Sequence, residues 1–184
     1  MQVITQEYRD AEAYVKGALH RQVRAPLRCP RCGAYGSLSV LGYYERYVLL
    51  LTRNEAMPIA VRRFRCRECT VTVSLLPAFA QPYHLLGSEV LDEVVSGRAH
   101  PQRHWYALQI FARMVKRFGR FRDRLLSLIG MGFGRDPPEK EVPDWDLIRW
   151  LWGQNEKSFR QTTHTLVRHY RCTVFGQYKC HQST

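Results

Sequence analysis

The sequence predicts an α+β protein in which an antiparallel β hairpin comes first and helices follow. Three observations carry this expectation. Two C-x2-C pairs, Cys29/Cys32 and Cys66/Cys69, bracket two strand-like segments. Before residue 77 the apolar positions are rich in Val, Ile, Tyr and Phe, whereas after residue 88 they recur every three or four residues. The 184 residues are 45% hydrophobic and 24% charged, the balance of a globular chain rather than a disordered one.

Tyr8, Ala11, Val15 and Ala18 step by three and four, so residues 5–20 read as a helix within an N-terminal segment, 1–24. A hairpin unit spans 25–82: strands over 38–51 and 59–66, a loop over 52–58 and a third strand over 71–76, with Pro77 and Pro82 at the exit. A helical region occupies 83–130. Ser88 suits an N-cap for a helix over 88–95, Gly97 its end and Pro101 the first turn of the next. Trp105, Leu108, Phe111, Val115 and Phe118 then form an apolar stripe, which places Trp105 in the core, and a further helix covers 120–130. Glycines and prolines over 130–143 open a linker and C-terminal extension, 131–184, with one or two helices from Trp145 to about Cys172.

The four early cysteines carry the clearest chemistry. Two residues between thiols let both sulfurs of a knuckle face one point, and a hairpin brings the second knuckle opposite. Four thiolates then close a tetrahedral site suited to Zn²⁺, with no position left for a reacting water. The 33 residues between the pairs require long hairpin arms. Structural disulfides, a redox dithiol and rubredoxin-type iron are the competing readings. Disulfides need an oxidising compartment, and a redox pair needs a helix start that the flanking strands do not offer. Iron remains geometrically open.

Cys29-Pro30-Arg31-Cys32-Gly33, Gly42–Tyr47, Val61–Cys69, Thr72–Pro77 and Pro82-Tyr83 together resemble the transposase-type zinc ribbon of bacterial mobile elements. The likeness covers about residues 25–125 and is closest to small proteins in which the ribbon precedes a helix-turn-helix. It implies Zn²⁺ on Cys29, Cys32, Cys66 and Cys69, and DNA binding by ribbon and helices together. Thr70 stands where such ribbons commonly have glycine.

Charge points to the same class of partner. Lys and Arg number 28 against 16 Asp and Glu, a net charge of +12. Residues 98–124 alone hold eight basic residues and one acid. Such a block is the footprint of a polyanion. In a helix-turn-helix the second helix presents its first residues to base edges, here Gln102, Arg103 and His104. Arg113, Lys116, Arg117, Arg120 and Arg124 share one face if Gly119 does not break the helix, and suit phosphates. Arg63 and Arg65 add a basic patch on the second strand, suited to phosphates or to solubility.

No carboxylate sits in a recognisable catalytic context, and no P-loop or nucleophile elbow is present, so a non-catalytic protein is expected. His164, His169, Cys172, Cys180 and His181 form a loose second cluster, read as a polar tail or as a second metal site. Trp145, Trp150 and Trp152 read as a small core, or as a surface for a protein partner or second copy. The N-terminus has no apolar signal segment and no run is long enough to span a bilayer, so a cytoplasmic address and no membrane partner are expected. Together these expectations describe a zinc-dependent binder of double-stranded DNA, a regulator or accessory factor of a mobile element. An adaptor on a larger nucleic-acid machine and an RNA binder are the alternatives.

Overall fold

One four-stranded sheet organises the first half of the chain and a set of helices the second. A computed structural model describes residues 1–5, 7–50, 55–132, 142–170 and 172–177. The chain divides into two compact units, Met1–Gly87 and Ser88–Tyr178.

In the first unit β1 (Gln2–Ile4), α1 (Ala11–Lys16), β2 (Leu38–Leu49), β3 (Ala56–Cys66) and β4 (Thr72–Leu76) follow one another. The spatial order is β1-β4-β3-β2. β3 runs antiparallel to β2 and to β4, while β1 lies parallel to β4 and makes the sheet mixed. β1 is absent from the sequence reading, because three residues carry no periodicity and their partner is some 70 residues away. The helix expected over 5–20 is shorter. Tyr8 takes a positive φ of 60°, Asp10 caps α1 by accepting the Ala13 N–H at 2.9 Å, and Ala18 turns left-handed after Gly17.

Apolar clusters pack on both faces of the sheet around β3 and β4, while much of β2 is exposed. On one face, Ile59 and Val61 of β3 and Leu76 of β4 pack with Tyr14, Val48 and Phe79. On the other, Phe64 of β3 meets Val23, Val73 and Leu75. Tyr14 is buried and its hydroxyl donates to the Ala60 carbonyl at 2.8 Å. A bulge between Val40 and Gly42 interrupts the β2–β3 register, with Gly42 at φ +128°. β3 begins before Pro58, which the sequence places in the loop. The strand tolerates proline there because β4 pairs only with Arg62–Arg65, so Pro58 owes an N–H to no second neighbour. Residues 51–54 of the expected loop lie outside the described residues.

The second unit contains α2 (Ser88–Ser96), α3 (Trp105–Phe118), α4 (Arg122–Gly132), α5 (Asp144–Gln154) and α6 (Phe159–Tyr170), then a small hairpin of β5 (Cys172–Thr173) and β6 (Gly176–Gln177). Its core joins Val90, Leu91, Val94 and Val95 of α2 to Phe111 and Phe118 of α3, Leu147 and Leu151 of α5, and Phe159 and Leu166 of α6. Asp92 of α2 ties two helices together: it accepts the Trp152 indole N–H at 2.8 Å and the Phe159 backbone N–H, at the start of α6, at 2.7 Å. Burial raises its carboxyl pKa. Trp152 is buried inside this unit, and Trp145 packs edge-to-face on Phe111 at 5.1 Å. Among the described residues no helix is long and apolar enough to cross a membrane.

Three expectations for this region are corrected. The helix placed from Pro101 begins at Trp105, and residues 101–103 form a turn. The buried stripe of α3 is Ala107, Phe111, Met114 and Phe118, so Trp105 faces solvent at 54% exposure. Only Phe111 and Phe118 belong to both stripes; Trp105, Leu108 and Val115 fall to either side of the buried line. Finally, Gly119 does end the helix: α3 stops at Phe118 and α4 starts at Arg122. A Cβ on Gly119 would stand 2.9 Å from Asp144 Oδ2, while Asp144 Oδ1 accepts from Arg122 Nη1 at 3.0 Å.

Candidate metal centre and basic surface

Each C-x2-C pair sits on a turn whose backbone is shaped for it. The first is a tight hairpin. The Cys29 N–H donates to Ala34 O and the Gly33 N–H to Cys29 O, both at 2.9 Å, and Gly33 and Gly36 take positive φ of 75° and 61°. The second closes the end of β3, where the Cys66 N–H donates to Val71 O at 3.0 Å. Thr70 there adopts φ +57°, the left-handed conformation that glycine would adopt without strain. Ser37 links the two turns: its carbonyl accepts the Arg67 N–H at 2.9 Å and its hydroxyl lies 3.2 Å from Cys66 Sγ.

The result is convergence. The four Sγ atoms lie within 4.8 Å of one another, with Cys29–Cys69 and Cys32–Cys66 each at 3.7 Å. A tetrahedron of sulfurs about 2.3 Å from a central ion has edges of about 3.8 Å. The two shortest separations match that cage, and both are far from a disulfide bond of about 2.05 Å. Cys29 and Cys66 are buried and Cys32 is exposed. The Cys69 N–H, 3.5 Å from Cys66 Sγ, and the Ser37 hydroxyl bring the Cys66 thiol down to about 6, whereas burial pushes Cys69 up to about 12. The donor set fits a metal ion held by four soft ligands. Among the described residues this is the one His/Cys/Asp/Glu group so arranged. Cys172 is buried and His169 exposed, while Cys180 and His181 lie outside the described residues.

The basic residues are distributed over both units. In the first, the Arg63 guanidinium lies over the Tyr44 ring at 5.8 Å, and Arg65 is exposed. In the second, Arg103, Arg113, Lys116, Arg117, Arg120 and Arg124 are all exposed, and none makes an ion pair among the described residues. Arg113, Lys116 and Arg117 share the outer face of α3; Arg120 sits in the turn after it and Arg124 on α4, so the single stripe expected of all five is divided. Gln102 and Arg103 are exposed on the turn before α3 rather than on its first turn. His104 is half-buried, and its Nδ1 accepts the His100 N–H at 2.9 Å. Gly97–His104 separates α2 from α3 by eight residues. The turn of a helix-turn-helix commonly has three or four.

These features define a small α+β protein with a four-thiol centre in one unit and an unpaired cationic surface in the other. Residues 29–113 match a family model described as a domain of unknown function (DUF6431), a stretch that begins at the first cysteine and ends on α3. No curated protein and no solved structure matches the chain.

Proposed function

We propose that the protein is a non-catalytic DNA-binding protein. Its sheet unit is a zinc ribbon locked by Zn²⁺ on Cys29, Cys32, Cys66 and Cys69, and its helical unit grips the polyanion. The observation that carries this reading is the set of six exposed cations, from Arg103 to Arg124, with no ion-pair partner among the described residues. Elsewhere in the same stretch the fold does pair its cations: Arg98 with Glu93 at 2.7 Å and Arg122 with Asp144 at 3.0 Å. Leaving six others exposed keeps them available to phosphates.

The metal's part is mechanical. A closed set of four thiolates supplies a cross-link and no open coordination position. It joins the Cys29/Cys32 hairpin to the end of β3 where the apolar cluster is small, only Val23, Phe64, Val73 and Leu75 being buried. Arg113, Lys116, Arg117, Arg120 and Arg124 hold backbone phosphates. Gln102 and Arg103, on the exposed turn ahead of α3, are the side chains free to reach base edges. The likeness to mobile-element ribbons supports a role as a regulator or accessory factor.

Titrating salt against affinity for a DNA duplex tests the reading. If these five cations contact phosphates, log Kd changes with log salt with a slope of about 4.5. A flat salt response, or no binding at low salt, refutes it in favour of a protein-docking role.

A further inference from the structure

The outer face of α3 carries more than charge. Trp105 and Tyr106 open the helix, 54% and 40% exposed, with their rings edge-to-face at 5.7 Å. Tyr106, Gln109, Arg113 and Arg117 follow at steps of three, four and four, and Lys116 lies beside them. All are exposed, opposite the buried line of Ala107, Phe111, Met114 and Phe118. Two large aromatic rings therefore stand at one end of a cationic face that no acidic side chain among the described residues pairs with.

We infer that this face is a stacking platform: Trp105 and Tyr106 receive unpaired bases of a DNA strand, while Arg113, Lys116 and Arg117 hold its phosphates. The inference rests on the DNA-binding reading above and narrows it to DNA that exposes unpaired bases beside duplex. In an intact duplex the π-faces of bases are covered by their neighbours, so an exposed indole has nothing to stack on. Unpaired bases uncover those faces, and stacking on an aromatic side chain needs no particular base. The charge calls for an anionic partner, because apolar contacts at Trp105 alone would leave Arg113, Lys116 and Arg117 unpaired on the same face. The dimensions agree. Trp105 and Arg113 are eight residues apart, about 12 Å along the helix, which spans three to four nucleotides of a strand stacked at the duplex rise of about 3.4 Å each.

The test compares a blunt duplex with the same duplex bearing a single-stranded tail of about four nucleotides. The wild type is expected to bind the tailed probe more tightly. Trp105→Ala is expected to lower affinity for the tailed probe by about 5- to 150-fold and to leave the blunt duplex within about twofold. Trp105→Phe keeps an aromatic face and is expected to restore most of the difference. Because Trp105 is largely exposed, these variants retain the fold, and circular dichroism checks this. The indole emission lost on adding tailed DNA should be present in the wild type and absent in Trp105→Phe, although three other tryptophans remain. Arg117→Ala should weaken both probes by a similar factor. If the tail adds nothing, or if Trp105→Ala weakens both probes equally, the platform is refuted while DNA binding stands. If the wild type binds neither probe at low salt, both readings fall.

Discussion

Cys32→Ser separates the metal from the packing. Cys32 is the exposed member of the quartet, so without metal its replacement removes little buried surface and should change stability by less than about 0.5 kcal/mol. With zinc the loss is large. The ion joins two turns whose facing cysteines, Cys32 and Cys66, are 34 residues apart in sequence. Treated as a cross-link, closing a loop of that length lowers the entropy of the unfolded chain by the equivalent of about 4 kcal/mol at 25 °C. Serine is a poor substitute for a thiolate, and three remaining ligands hold zinc far more weakly. Urea unfolding with zinc and with a chelator should therefore show about 4 kcal/mol of metal-dependent stabilisation in the wild type and under about 1 in Cys32→Ser. The probe must follow the sheet. All four tryptophans lie after residue 88, so their fluorescence reports the helical unit; hydrogen exchange at the Cys66 amide, bonded to Val71 O at 3.0 Å, reports the sheet unit. If wild type and Cys32→Ser respond alike to zinc and chelator, the four-thiol cross-link is not what holds this unit together.

Other perturbations probe separate parts of the molecule. Thr70→Gly should stabilise the sheet unit by about 0.5–1 kcal/mol, the relief of a left-handed β-branched residue less the extra chain entropy of glycine, read as a higher urea midpoint. Asp92→Ala should cost about 2–4 kcal/mol, because it leaves the Trp152 indole and the Phe159 amide without their acceptor; tryptophan fluorescence during unfolding measures it. The raised pKa of Asp92 means the folded state holds its proton more tightly, so its contribution to stability is full below the unfolded value of about 3.8 and is lost as pH rises through the folded one. Asp92→Asn should erase that decline with rising pH while keeping an acceptor, visible in unfolding curves recorded upward from about pH 3.8. Arg117→Ala should reduce the slope of log Kd against log salt by about 1, measured on duplex DNA.

Much of the four-thiol cluster is legible in the primary structure because its geometry is local. Two residues between cysteines, a glycine after the first pair and strand-forming residues between the pairs already demand two knuckles on a hairpin, and Cys29, Cys32, Cys66 and Cys69 do converge. Thr70 shows the same logic from the other side: the turn requires positive φ, and the chain adopts it without the glycine. The basic segment was visible by composition, but its division was not. A helical wheel projects Arg113 through Arg124 onto one face only if the axis continues, and Gly119, with Asp144 close against it, ends that axis.

What the sequence alone determined is therefore whatever short-range geometry and composition dictate: the thiol quartet, the two long strands, the alternation of helices and breaks after residue 88, and the excess of positive charge. Tertiary structure decided the rest. Pairing across some 70 residues added β1 to the sheet. Asp92 drew the Trp152 indole inward, so that this tryptophan became core. Packing of α3 on Ala107, Phe111, Met114 and Phe118 turned Trp105 out to solvent. An apolar stripe in a sequence offers several equivalent helical faces, and only the neighbouring helices select which of them is buried.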